Sequence, residues 1–339
     1  LTNSFLNAAQ MAGVSYGDIR VIEAQTESIG VKNGLLEEMS KTSDAGFGVR
    51  VLHKGCWGFA SSRERNPEEV ARVTKLAVEI AEASATLKKK DTWLVDEPAH
   101  KDVYVTPVKE DPFTLSIEEK LKLLMETNEI MRKVTGITNA VSSFDAFRER
   151  QWFANTQGSD IEQTITECGA GMEAMAVREG DMQRRCYPNS FRGQFHTGGF
   201  EYVRKYDLMA NAQRLAEEAV QLLDADPCPS ITTTLILDGN QLGLQIHESI
   251  GHPLELDRVL GSEAAYAGMS FVTPEKRNNL KYGSDIMHVT HDATLMGGLG
   301  TFGYDDDGVK SQRVDLIKNG LFLNYLTSRE TAHVVSDTR

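Results

Sequence analysis

Apolar positions along this chain change period several times, and each change predicts an element. Residues 2–12 carry a short helical spacing. From 16 to 62 the pattern turns strand-like: "YGDIRVIEAQTESIGVKNGLLEEMSKTSDAGFGVRVLHKGCWGFASS". Asn33-Gly34 breaks it as a two-residue hairpin turn, and glycines at 46, 48, 55 and 58 punctuate the rest, so four antiparallel strands are expected. Helical spacing returns at 66–87. Asn66 suits the cap, Pro67 the first turn, and Val70, Val73, Leu76, Ala77 and Ile80 form one stripe.

A polar connector, 88–112, leads into a second unit of the same plan. Its helix, 116–134, opens with the capping box Ser116-x-x-Glu119. Strand-like alternation fills 137–187, and a helix over 206–225 closes the unit before Pro227 and Pro229. A third unit starts with "ITTTLILDG" (231–239), a β-branched run that reads as a buried strand, and ends in a hairpin over 313–328 turned at Asn319-Gly320. The fold class is α+β: helix-flanked antiparallel sheets in the N-terminal half, then a β-rich C-terminal domain. The divisions are 1–90, 112–226 and 230–339. The first residue is not Met, which implies a trimmed start, and the last hairpin lacks partner strands, which implies that the domain continues past residue 339.

Composition narrows the class. A chain of 339 residues with 40% hydrophobic and 25% charged residues is an ordinary globular protein of two or three domains. No run approaches the ~20 apolar residues of a membrane span. A net charge of −13 repels phosphate backbones, and no basic patch offsets it, so nucleic acid is not the expected partner. Cys56, Cys168, Cys186 and Cys228 form no CxxC pair, which fits a reducing cytoplasm.

The chemistry concentrates in "LQIHESIGHPLELD" (244–257). His247 and His252 are five apart, and on a straight α-helix, at ~100° per residue, they would face different sides. Gly251 has unusual backbone freedom, and Pro253 disfavours helical angles at His252. The helix is therefore expected to end, or to widen by a π-type turn, at Gly251, which lets His252 fold back toward His247. The pair then suits a divalent cation, Zn²⁺ above all. Glu248 is placed to take a proton from a metal-bound water and pass it to a leaving amine. Glu255 and Asp257 are candidate hydrogen-bond acceptors for the histidines. A solvated helix end with two histidines is the bland alternative. A third ligand has several candidates: Cys228, Glu255, Glu263, His288 and His291.

"GLGTFG" (298–303) satisfies G-x-G-x-x-G, but "YDDDG" after it begins no helix, so a glycine-rich loop near the active site is expected instead of a dinucleotide site. "DDDG" lacks the rest of a calcium loop and reads as a tight turn. Tyr304 and His291 are candidates for stabilising an oxyanion. The 313–328 hairpin could take an extended peptide as an added strand.

"HESIGHPLELD" resembles the HExxxH motif of the TldD/PmbA metallopeptidases, in the TldD branch. "GVKNGLLEEMSKTSDAGFGVRVLHKGCWGFASS", "TFGYDDDGV" and "NGLFLNYLTSRETA" extend the resemblance over essentially the whole chain. The resemblance implies a cytoplasmic zinc peptidase that trims or degrades unfolded peptides in a dimer cavity, as a homodimer or paired with a related subunit. It implies His247 and His252 as ligands and Glu248 as the acid/base. It places the third ligand, a cysteine, beyond residue 339, so that this chain is expected to hold metal weakly. The other reading is a non-catalytic subunit completing a peptide chamber, against which the presence of Glu248 argues.

Overall fold

The computed structural model describes residues 1–190 and 192–335. Helix α1 (Thr2–Ala12) precedes three strands: β1 (Tyr16–Lys32), β2 (Leu35–His53) and β3 (Cys56–Ser62). Three strands replace the expected four because β1 and β2 run on without a break. At their shared turn Asn33 and Gly34 have φ of 51° and 77°, the left-handed geometry that an Asn-Gly hairpin supplies. Helix α2 (Pro67–Ala85) begins where the capping signals place it, with the Asn66 side chain accepting from the Glu69 amide. Its buried stripe is Val70, Val73, Thr74, Ala77 and Ala81. Leu76 and Ile80 remain partly outside it, at 39% and 38% exposure.

The connector holds a strand that its polar composition hides. β4 (Lys101–Val105) pairs in parallel with β6 (Asp160–Arg178). Helix α3 (Ile117–Arg132) is capped by Ser116 as expected. Then come β5 (Ile137–Asn155), β6, β7 (Asp181–Tyr187), β8 (Gln194–Thr197), α4 (Glu201–Tyr206) and α5 (Leu208–Gln221).

The two helix-and-strand units share one sheet, in the order β3-β2-β1-β5-β6-β4, with β7 and β8 added on β6. β1 and β5 join them in an unbroken antiparallel register from Asp18↔Asn155 to Lys32↔Val141. Odd positions of β1 point to the helices: Ile19 and Val21 pack with α1 and α2, Ile29 and Val31 with α3 and α5. Even positions face the other way. There Asp18 pairs with Arg50, which also reaches Asp307 at 2.7 Å, and Phe153, Ile161 and Tyr304 form a small cluster. The C-terminal region thus docks on the sheet face opposite the helices.

That region contains α6 (Gly239–Ile246), a short α7 (Leu256–Val259) and a three-stranded sheet of β9 (Val289–Asp292), β10 (Arg313–Lys318) and β11 (Leu321–Phe322), in the order β11-β10-β9. Asn319 and Gly320 turn the hairpin at φ 51° and 71°. The expected strand at 231–239 is not formed, and Ile231, Leu235 and Ile236 are exposed at 67%, 75% and 92%. No described strand runs beside it to satisfy its backbone, and β-branched composition alone does not hold a strand. The C-terminal core forms further on, from Ile250, Leu254, Leu256, Val272, Leu316, Ile317, Phe322 and Tyr325.

Candidate metal centre

Asp238 caps α6 by accepting from the Asn240 amide, and none of the helix's residues is buried. At His247 the α-helix widens into a π-turn, His247–Gly251, and then tightens into a 3-10 turn, His252–Leu254. The His252 amide donates to the His247 carbonyl, a bond between residues five apart. This wider turn puts both side chains on one face. The rings meet edge to face, with centroids 4.3 Å apart.

The cause differs in part from expectation. His252 stays helical at φ −57°, ψ −43°, so Pro253 does not push it out, and Gly251 has ordinary helical angles at φ −52°, ψ −69°. Packing on the C-terminal side of the turn anchors it instead. Ile250 and Leu254 are buried, the Leu256 amide donates to the Leu326 carbonyl, and the Leu326 amide donates to the Leu254 carbonyl, both at 2.9 Å. Tyr282 donates to the Ser249 carbonyl at 2.6 Å, and burial holds its phenol above the ordinary value, in the donating form.

Donor atoms of His247, Glu248 and His252 lie within 4.8 Å of one another. Two imidazoles are nitrogen donors that zinc accepts, with a carboxylate beside them free to handle protons, which is the fit the residues offer. The Glu248 carboxylate belongs to the cluster, 3.8 Å from His247 Nε2. His247 and Glu248 are open to solvent (side chains 59% and 60% exposed), and His252 is half as open at 30%.

Behind His252 stands a network that the sequence half disclosed. Glu255 Oε1 is 2.9 Å from His252 Nδ1. Arg258, which sequence reasoning passed over, sets Nη2 3.0 Å from Glu255 Oε2, 3.0 Å from Glu263 and 3.1 Å from His252 Nδ1. The Glu-x-x-Arg spacing was the available signal. Asp257 is exposed, and among the described residues its side chain makes no bond to either histidine. Of the other third-ligand candidates, Cys228 is exposed, with Sγ 3.9 Å from the Pro229 carbonyl, Glu263 is engaged by Arg258, and His288 accepts from the Asn319 amide at 3.4 Å. His291 lies exposed on β9. Among the described residues none of them joins the cluster.

Two further expectations are corrected. Tyr304 donates to Asp102 at 2.6 Å, and burial and then that carboxylate push its phenol up to about 12, so it is tied to the sheet. The glycine-rich loop packs there as well: a Cβ on Gly303 would strike Tyr104, and one on Gly308 would strike Phe153. β10 lies between β9 and β11, so the hairpin's first strand is central and not an open edge.

Family models match in three consecutive stretches: PmbA/TldA metallopeptidase domain 1 at residues 17–81, the central domain at 110–225 and the C-terminal domain at 230–336. The chain belongs to the TldD/PmbA family. Metalloprotease MJ0996 of Methanocaldococcus jannaschii is 34% identical over 318 residues, 94% of this chain and 67% of that protein. A metalloprotease of Methanothermobacter thermautotrophicus is 29% identical over 319 residues, 94% of this chain and 66% of that protein. The chain therefore spans about two thirds of the length of these TldD/PmbA relatives. The crystal structure of TldE from Thermococcus kodakarensis superposes with a TM-score of 0.68 at 16% identity, covering 98% of this chain and 72% of that one, which establishes the shared fold. Among the described residues no helix is long and apolar enough to cross a membrane.

Proposed function

We propose that this chain is a zinc-dependent peptidase acting on unfolded or small peptides. The observation that carries this reading is the π-turn that gathers His247, Glu248 and His252 donors within 4.8 Å. His247 and His252 would hold the cation. Zinc, when bound, polarises the scissile carbonyl and makes a water acidic near neutral pH. Glu248 takes that water's proton on its carboxylate and returns it to the departing amine nitrogen. Glu255 holds the His252 ring from behind.

The three units, 1–90, 112–226 and 230–339, divide the work: the first two, with β4 of the connector between them, build the sheet, and the third carries the chemistry. β11 is covered on its outer side by residues 278–282, through the Phe322 amide to the Leu280 carbonyl and the Asn278 amide to the Phe322 carbonyl, so among the described strands of this sheet β9 offers the edge where an extended peptide can add as a strand. Action within a dimer cavity, with a second copy or a related subunit, and a cytoplasmic setting rest on the family resemblance. Family membership and the intact Glu248 support an enzyme over a passive chamber subunit.

The experiment is cleavage of an unfolded protein by zinc-loaded wild type and Glu248→Gln, with metal content measured on both. Turnover is expected to vanish in the variant while zinc stays. Equal cleavage by the two forms overturns the role of Glu248.

A further inference from the structure

We propose that Phe271 is a specificity-determining residue: its ring is a shelf for a large apolar side chain of the peptide, held within one residue of the bond that is cut. The inference rests on the peptidase reading of the site and names the class of peptide that the site takes.

Two anchors fix this ring to the motif. Ser270 Oγ donates to the carbonyl of Pro253, the residue after His252, at 2.6 Å. Tyr282 donates to the carbonyl of Ser249, the residue after Glu248, also at 2.6 Å. The Phe271 and Tyr282 rings meet with centroids 5.9 Å apart, tilted by 42°. Phe271 is thus joined to the stretch 249–253 at both ends, through its chain neighbour at one and through a single aromatic ring at the other. The backbone that carries it is pinned as well. The Phe271 carbonyl accepts from the Thr273 amide at 3.1 Å and from Lys276 Nζ at 2.6 Å. Val272, the next residue, is fully buried, and its carbonyl accepts from Tyr325 at 2.7 Å.

The side chain itself is left open. Its ring meets Tyr282 and the Lys276 ammonium, 5.5 Å from the centroid, and the residue remains 56% exposed. Single exposed apolar residues are common and mean little by themselves. This one differs because it stands on a fixed backbone tied to the candidate site, so a ligand that covers it gains apolar contact without the cost of ordering a loop. One ring falls far short of the ~800 Å² per partner that a stable contact between chains needs, whereas one side chain of a bound peptide covers it. A flat aromatic face suits a phenylalanine, tyrosine, tryptophan or leucine side chain, and it leaves a carboxylate or an amide without a hydrogen bond.

The test uses the whole chain and a short Gly-Ser-Ala peptide with one guest position, filled by Phe, Leu, Ala or Asp. Zinc-loaded wild type is expected to cleave the Phe and Leu peptides with kcat/KM about tenfold to a hundredfold above that for the Ala peptide, at a bond beside the guest residue, mapped by mass spectrometry. Phe271→Ala is expected to bring that ratio close to unity, and Phe271→Leu to keep most of it. Fluorescence anisotropy of the labelled peptides with the metal-free chain is expected to give the same ranking without turnover. Far-UV circular dichroism checks folding, and Phe271→Gln carries the test if Phe271→Ala does not fold. Cleavage and binding indifferent to the guest residue in wild type overturn the proposal, as does a preference that survives Phe271→Ala. A fall in zinc affinity in Phe271→Ala, read by competition with a chromophoric chelator, also overturns it, because the ring would then support the turn and not the peptide. Loss of a dimer in Phe271→Ala by sedimentation, with the guest preference kept, overturns it and assigns the ring to a contact between chains. A binding preference that is lost in Phe271→Ala, with no cleavage by zinc-loaded wild type, upholds the shelf and overturns the peptidase reading.

Discussion

At the residue scale, single atoms decide how closely elements approach. Gly58 in β3 lies under α2, where a Cβ would run into the Ala77 carbonyl and the Ala81 amide. Both obstacles are backbone and cannot rotate away. Gly58→Ala is therefore expected to lower stability at the upper end of the ~1–3 kcal/mol cost of overpacking, read as a lower urea midpoint with unchanged slope. An unchanged midpoint would mean that α2 is free to lift off the sheet. Asn33, Asn66, Ser116 and Asn319 show how much local chemistry the sequence discloses, because a cap or a two-residue turn is satisfied within a few residues. Arg258 was legible only in part: its three-residue spacing from Glu255 shows in the sequence, whereas its bond to His252 exists only once the turn at 247–254 has formed.

At the element scale, the motif segment shows a right expectation with a partly wrong cause. The five-residue spacing does require a widened turn, and the turn is there. Gly251 does not supply it through special backbone angles, since its φ of −52° suits any residue and a Cβ would meet nothing closer than the Ile246 carbonyl at 4.0 Å. Gly251→Ala is accordingly expected to raise stability by about 0.4–1 kcal/mol through the unfolded chain, with zinc affinity kept. Thermal unfolding and a zinc titration check it. A fall in affinity of about tenfold, as for a lost supporting residue, would show that the glycine is needed after all. The misread elements share one property. β4 and the 231–239 run depend on their neighbours in space: β4, a short Val-Tyr-Val stretch within a polar connector, has β6 beside it, and the apolar run has no described strand. Propensity reports the residue, and pairing reports the fold.

At the scale of the whole molecule, the β1–β5 seam makes one body of two units that look separate in sequence. The buried Lys120–Glu27 ion pair ties α3 to β1 across the same seam. Neither unit can unfold without exposing a long row of backbone hydrogen-bonding groups in the other, so both are expected to melt together. Variants that keep only Trp57, in β3, or only Trp152, in β5, report the two sides by fluorescence. Coincident urea midpoints are expected, and separate midpoints would mean that the seam does not couple them.

The two histidines stand on unequal ground. His252 is backed by Arg258 and by a packed core, whereas His247 ends a helix with no buried residue. Whatever free energy a cation gains at the outer imidazole is reduced by the cost of immobilising that arm, because ligation and local ordering draw on one equilibrium. Affinity here is therefore governed less by the quality of two nitrogen lone pairs than by how firmly one of them is tethered.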